Sequence, residues 1–109
     1  MKTKQIWISY DLGLNGDYDG LYRWFDAHGA KECGDRLATL EFNVKRDLQR
    51  ELEKDLKKAF KVGKEDRLYV IYRDSETNKV KGRFLFGGRR AAPWIGTSQK
   101  LDEVVEDAG

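Results

Sequence analysis

The sequence predicts one α+β domain, in which two helices cover one face of a mainly antiparallel β-sheet. Several short segments alternate apolar and polar residues with the period of two that is typical of strands. Two longer segments repeat apolar residues at helical spacing, and each of them stands between strand segments. A chain of 109 residues can bury one core without disulfides or metals and leaves little room for a second domain.

A strand and a helix are predicted in the first quarter of the chain. The strand covers residues 5–11, where Ile6 and Ile8 would lie on one side of the strand and the residues that alternate with them on the other. A glycine-containing loop follows. The helix is expected to begin at Asp17, whose carboxylate can accept free amide protons of the first turn, and to end at about His28.

The middle of the chain predicts a hairpin and a second helix. Residues 30–34 and 37–44 are the two strands, and Gly34-Asp35 is the turn that joins them. The segment from Lys45 to Lys61 repeats leucine on one side and is charged on the others. That pattern is typical of a helix that packs one face on a sheet.

A second hairpin is predicted from two further strands, residues 67–73 and 79–86. Alternation in the second of these strands predicts Val80, Phe84 and Phe86 on one buried face. The opposite, solvated face would carry Lys79, Lys81 and Arg83.

The order of the predicted elements is β-α-β-β-α-β-β. It predicts a ferredoxin-like βαββαβ sandwich with an additional C-terminal β-strand, and right-handed crossovers would place both helices on the same side. We expect residues 1–88 to form this domain. Residues 89–109 would form a C-terminal arm or tail, with one or two helical turns at residues 101–105.

Composition suggests a protein of a reducing compartment. Cys33 is the single cysteine, so that no intrachain disulfide can form. Lys2 and Lys4 precede the first strand without an apolar signal region, and no run reaches the roughly 20 apolar residues of a membrane span. We therefore expect a cytoplasmic protein without a membrane partner.

The first strand has a family-like sequence, Ile6-Trp7-Ile8-Ser9-Tyr10-Asp11-Leu12. It leads into a helix that ends in Gly-Ala, then a hairpin, then a charged amphipathic helix before Arg67-Leu68-Tyr69-Val70. This arrangement, over about residues 5–72, resembles the small subunit of the CRISPR adaptation complex. It resembles even more that subunit's SinR-like and VapD-like relatives.

The resemblance implies a symmetric dimer and a metal-dependent nuclease. It makes Asp11 the catalytic residue, which would lie near the dimer axis and hold Mg²⁺ together with its symmetry mate. The residues by themselves leave a second interpretation open. Asp11 ends a strand before a glycine-rich loop, where an aspartate commonly accepts hydrogen bonds from loop amides.

The C-terminal fifth of the chain separates basic from acidic residues. No acidic residue occurs from Lys79 to Lys100, whereas the last nine residues contain four acidic residues and no basic one. Arginines contact phosphates and tryptophan stacks on bases, so this region predicts binding of RNA or DNA. The predicted contact residues are Lys79, Lys81, Arg83, Arg89, Arg90 and Trp94.

An alternative function is open for the same segment. Trp94 and Ile95 can anchor the arm on a second subunit, which would make the chain a non-enzymatic homodimer. A homodimer is expected in either case. Together with Trp94 and Ile95, Trp7 and Phe86 give more apolar surface than one small α+β sandwich can readily bury, and such surface normally marks an interface.

Overall fold

Five strands form one antiparallel sheet in the computed structural model, which describes residues 2–99. The sheet order is β2-β3-β1-β4-β5, and every pair of neighbours is antiparallel. The α+β class is confirmed. The predicted turns at residues 101–105 lie outside the described residues. The elements are Lys2–Asp11 (β1), Tyr18–Ala27 (α1), Lys31–Glu32 (β2), Leu37–Val44 (β3), Leu48–Ala59 (α2), Arg67–Arg73 (β4) and Val80–Phe86 (β5).

Both helices begin at a capping aspartate. Asp17 Oδ1 accepts the Gly20 amide proton at 3.0 Å, and Asp47 Oδ1 accepts that of Arg50 at 3.3 Å. The second helix begins three residues later than predicted, because the Glu51 carboxylate holds the amides of residues 45–47 outside the helix at 2.7–2.8 Å.

The core lies between the helices and one face of the sheet. Ile6 and Ile8 of β1 are completely buried, as are Leu68 and Val70 of β4. The apolar side of α2 packs over these residues. Each Å² of apolar surface that its leucines bury there stabilises the fold by about 25 cal/mol. The leucines of that side are Leu48, Leu52 and Leu56.

A β-bulge near the end of β5 changes which side chains face the helices. Phe84 pairs with Tyr69 and Phe86 pairs with Leu68, so that Leu85 is an extra residue between the two pairs. Phe86 therefore lies on the helix side, 6.1 Å from the ring of Phe60. The prediction that Val80, Phe84 and Phe86 share one face is wrong, because strict alternation does not hold through a bulge.

The other face of the sheet, here called the open face, is covered by neither α1 nor α2. It presents Trp7, 37% exposed, beside Ile71 of β4. Within residues 2–99, no helix is long and apolar enough to cross a membrane. Strand register places on the open face Gln5, Trp7, Ser9, Asp11, Thr39, Arg67, Tyr69, Ile71 and Phe84.

Two loops are joined by a buried carboxylate just before β4. Asp66 is 2% exposed; its Oδ1 accepts the Gly13 amide proton at 2.7 Å, and its Oδ2 accepts that of Gly63 at 2.6 Å. Both amides are partly buried. A buried donor without an acceptor costs more than the hydrogen bond itself contributes, so Asp66 stabilises both loops.

We predict that Asp66→Ala lowers the free energy of unfolding by about 2 kcal/mol, because two amide protons lose their acceptor. Urea unfolding followed by tryptophan fluorescence measures the change. Asp35→Ala, at an exposed position in the turn between β2 and β3, is the control and should leave the midpoint unchanged. Equal midpoints for the two variants would contradict the role given to Asp66.

Candidate functional site

Asp11 lies at the end of β1 between two arginines. Its Oδ2 accepts a hydrogen bond from Arg67 Nη2 at 2.9 Å, and its Oδ1 accepts one from Arg36 Nη1 at 3.3 Å. The amide of Gly13 bonds to Asp66 instead. The loop-organising role that was the alternative prediction for Asp11 therefore belongs to Asp66.

The two arginines keep Asp11 ionised. The hydrogen bond from Arg67 is the largest cause and lowers the pKa of the carboxyl group below its usual value. Burial opposes it, and the charges of Arg67, Arg36 and Arg90 add to the lowering. The pair with Arg67 is the shorter, and 27% of the Arg67 side chain is exposed. Asp11 thus acts as a counter-ion that holds Arg67 against the sheet.

The surroundings of Asp11 do not fit a resident Mg²⁺. This ion prefers several oxygen ligands, whereas the groups that face the two carboxylate oxygens are guanidinium cations. In the part of the chain that the structure describes, no three or more His, Cys, Asp or Glu side chains are grouped to hold a metal ion. Within residues 2–99 of one copy, the groups around Asp11 therefore do not form the set of oxygen ligands that magnesium prefers.

A cleft of about 570 Å³ opens beside Arg67 on the open face. Tyr69 and Phe84 meet edge to face at its base, with ring centroids 4.8 Å apart. The Arg89 guanidinium carbon lies 5.8 Å from the centroid of Phe84. We call this the aromatic cleft, and it is lined by Arg67, Tyr69, Phe84, Arg89, Arg90, Ala91, Ala92, Pro93 and Trp94.

The arm that follows β5 forms one wall of the aromatic cleft. Gly87 turns the chain with φ +72°, and a Cβ there would lie 2.6 Å from the Asp66 carbonyl oxygen, so that only glycine fits. Arg90 then anchors the arm, because its Nη2 donates to the Glu65 carbonyl oxygen at 3.1 Å. Trp94 remains 72% exposed at the cleft.

The structure divides the predicted contact residues into two groups. Arg89, Arg90 and Trp94 come together in the aromatic cleft. Lys81 and Arg83 pair with Tyr72 and Val70, which places them on the helix side of β5. Lys81 Nζ is bound to Asp74 Oδ2 at 2.6 Å, and Lys79 is exposed in the turn before β5.

Sequence reasoning missed Arg67 and Tyr69 as members of the site. In the sequence, Tyr69 is one of several apolar residues of β4 and carries no mark of a binding residue, whereas in the structure it lies partly buried on the open face. One signal for Arg67 was present in the sequence: this cation begins a strand, and Asp11 ends another. The signal becomes visible only when β1 and β4 are known to be neighbours, which places Asp11 opposite Arg67.

Comparison of the chain with family models, with curated proteins and with solved structures finds no match. The resemblance to the CRISPR adaptation subunit and its relatives therefore stays a prediction.

Acid should weaken the native state partly through Asp11. Because its folded-state pKa lies below the unfolded value of 3.8, the ionised carboxylate adds stability above that value and loses it as the pH falls through the folded pKa. We predict that Asp11→Asn lowers the free energy of unfolding near neutral pH. The difference in this free energy between the variant and wild type should become smaller below about pH 4. The measurement is the urea midpoint of wild type and of the variant over this pH range. A difference between the two midpoints that does not change with pH would contradict a stabilising role of the ion pairs at Asp11.

Proposed function

We propose that this protein binds nucleic acid through the open face of a ferredoxin-like sheet, with the aromatic cleft as the centre of the binding surface. One observation carries the proposal. Three arginines line a cleft whose floor is the aromatic pair of Tyr69 and Phe84. These arginines are Arg67, Arg89 and Arg90. Guanidinium groups recognise phosphates, and aromatic rings on a sheet face receive bases. The strand order supports the ferredoxin-like arrangement, with β5 as the additional edge strand.

The contacts of Arg89 leave it suited to a phosphate. Its guanidinium carbon lies 5.8 Å from the centroid of the Phe84 ring, and a guanidinium group that contacts a ring in this way can still donate N–H hydrogen bonds to a phosphate. Arg67 and Arg90 are held by Asp11 and by the Glu65 carbonyl oxygen. These contacts pre-position two cations, so that less side-chain entropy is lost when an anion binds.

A homodimer with a docking arm is the second candidate, and the exposure of the arm favours it. Trp94 is 72% exposed and Ile95 is 74% exposed, which is unusual for two adjacent large apolar residues. Docked on a second copy, they would be removed from water. In this alternative the protein is not an enzyme, and the arm makes a contact between subunits.

The metal-dependent nuclease activity implied by the resemblance stays a prediction. Magnesium at Asp11 would require Arg36 and Arg67 to leave the carboxylate and further oxygen ligands to arrive from elsewhere. Binding needs no such rearrangement. We therefore propose binding, to RNA or DNA, as the function that the site supports best.

Arg89→Ala should reduce affinity for nucleic acid of any sequence by about ten- to hundredfold, since a hydrogen bond to a charged group is worth about 1.5–3 kcal/mol. It should also lower the slope of log affinity against log salt by about 0.7 to 0.9 for each phosphate that is no longer neutralised. Fluorescence anisotropy between about 50 and about 200 mM salt measures both quantities.

Arg83→Ala is the matched control for Arg89→Ala. It removes the same charge from the same end of the chain, but from the helix side of β5. Its affinity and salt slope should equal those of wild type. An equal decrease in both variants would show that the charge of the basic segment, and not the aromatic cleft, determines binding.

Deletion of residues from Arg89 onward separates the two candidate functions. If the arm docks on a second subunit, sedimentation should show that the truncated chain no longer forms the dimer that the full chain forms at about tens of micromolar. If the arm belongs to the nucleic-acid site, the deletion should leave the oligomeric state unchanged and abolish binding. Unchanged binding would contradict the place of the arm in the proposed site.

A further inference from the structure

We infer that the aromatic cleft receives one unpaired nucleotide of a single strand, with its base against Trp94 and its phosphate at the arginines. The inference rests on the proposed function and names the substrate class of that site. It is carried by the shape of the cleft, by the exposed tryptophan in its wall and by the positions of the three guanidinium groups.

The shape of the cleft selects against a duplex. Its floor is the Tyr69–Phe84 pair in the sheet, and its wall is the arm from Arg89 to Trp94. The volume of about 570 Å³ lies in the range of pockets that enclose a small molecule, and can hold one nucleotide. Inside a duplex both faces of a base are covered by its neighbours, so only an unstacked base can enter between floor and wall.

Two flat groups in the cleft can receive a base. The indole of Trp94 is 72% exposed, so one of its surfaces is uncovered beside the cleft. The Arg89 guanidinium lies over Phe84, and bases stack on guanidinium planes as well as on aromatic rings. A base that enters the cleft would exchange water for a π contact with the indole or with the guanidinium plane.

Besides Arg89, whose N–H donors can reach a phosphate, Arg67 and Arg90 are placed for the phosphate of the same nucleotide. Arg67 is tied to Asp11 at 2.9 Å and Arg90 to the Glu65 carbonyl oxygen at 3.1 Å, so that both are anchored at the cleft before a ligand binds. Neither contact uses all the donors of its guanidinium group. The cleft thus combines stacking and phosphate contacts within one nucleotide unit.

Ile95 provides a matched control within the arm. It follows Trp94 directly and is 74% exposed, but it does not line the aromatic cleft. A protein partner that docks on the exposed arm would contact both residues. A base in the cleft would contact only Trp94.

The test measures binding of the full chain to a single-stranded oligonucleotide of about ten nucleotides and to its duplex at one salt concentration. A third probe is a strand of the same length with abasic sites in place of bases. We expect the single strand to bind about tenfold more tightly than either other probe. Trp94→Ala should remove that advantage, and Ile95→Ala should keep it.

The outcomes separate this inference from the proposed function. Equal affinity for single strand, duplex and abasic strand, unchanged in Trp94→Ala, would overturn the inference and leave binding through arginines intact. Failure of all three probes to bind would overturn both. A decrease of equal size in Trp94→Ala and Ile95→Ala would point to a protein-docking arm and would also overturn the inference. Quenching of fluorescence by the single strand in wild type, reduced in Trp94→Ala, would support it.

Discussion

The position of β1 between β3 and β4 is the constraint on which the rest of the structure depends. Its alternate residues face opposite ways, so Ile6 and Ile8 are completely buried under the helices while Trp7 and Asp11 stand on the open face. A shift of register by one residue would exchange these two sets and bury a carboxylate in the core. The burial of the two isoleucines therefore also determines where the candidate site lies.

Three acidic residues around the start of β4 organise the aromatic cleft. Asp66 joins the loops that precede α1 and β4, and Asp11 holds Arg67 against the sheet. Glu65 receives Arg90 through its main-chain oxygen and so fixes the direction of the arm. The side chains of Arg67 and Arg90 are consequently held in place by residues on other segments of the chain. Less side-chain entropy is then lost when a ligand binds.

The bulge at Leu85 connects the fold to the site. One extra residue turns Phe84 to the open face, where it meets Tyr69 and Arg89, and leaves Phe86 against α2. Without the bulge, both phenylalanines would lie on the same face. The aromatic floor of the cleft thus arises from a local irregularity of the hydrogen-bond ladder.

The sequence by itself determined the elements and their class. Alternation of apolar and polar residues predicted β3 and β4 with their observed ends, and the two ends of the first helix were predicted at Asp17 and about His28. These features could be predicted because they depend on neighbours within a few residues along the chain. Arg89, Arg90 and Trp94 were also found from the sequence, since they stand together in one loop.

Only the tertiary structure decided which side chains share a surface. Lys81 and Arg83 are close to Arg89 in sequence but lie on the helix side of the sheet, whereas Arg67 belongs to a different strand and lines the same cleft. The partners of Asp11 likewise come from other strands and turns, at separations of 25 and 56 residues. Strand pairing and the bulge set these contacts, and both result from packing of the whole sheet against the helices, which no local pattern contains.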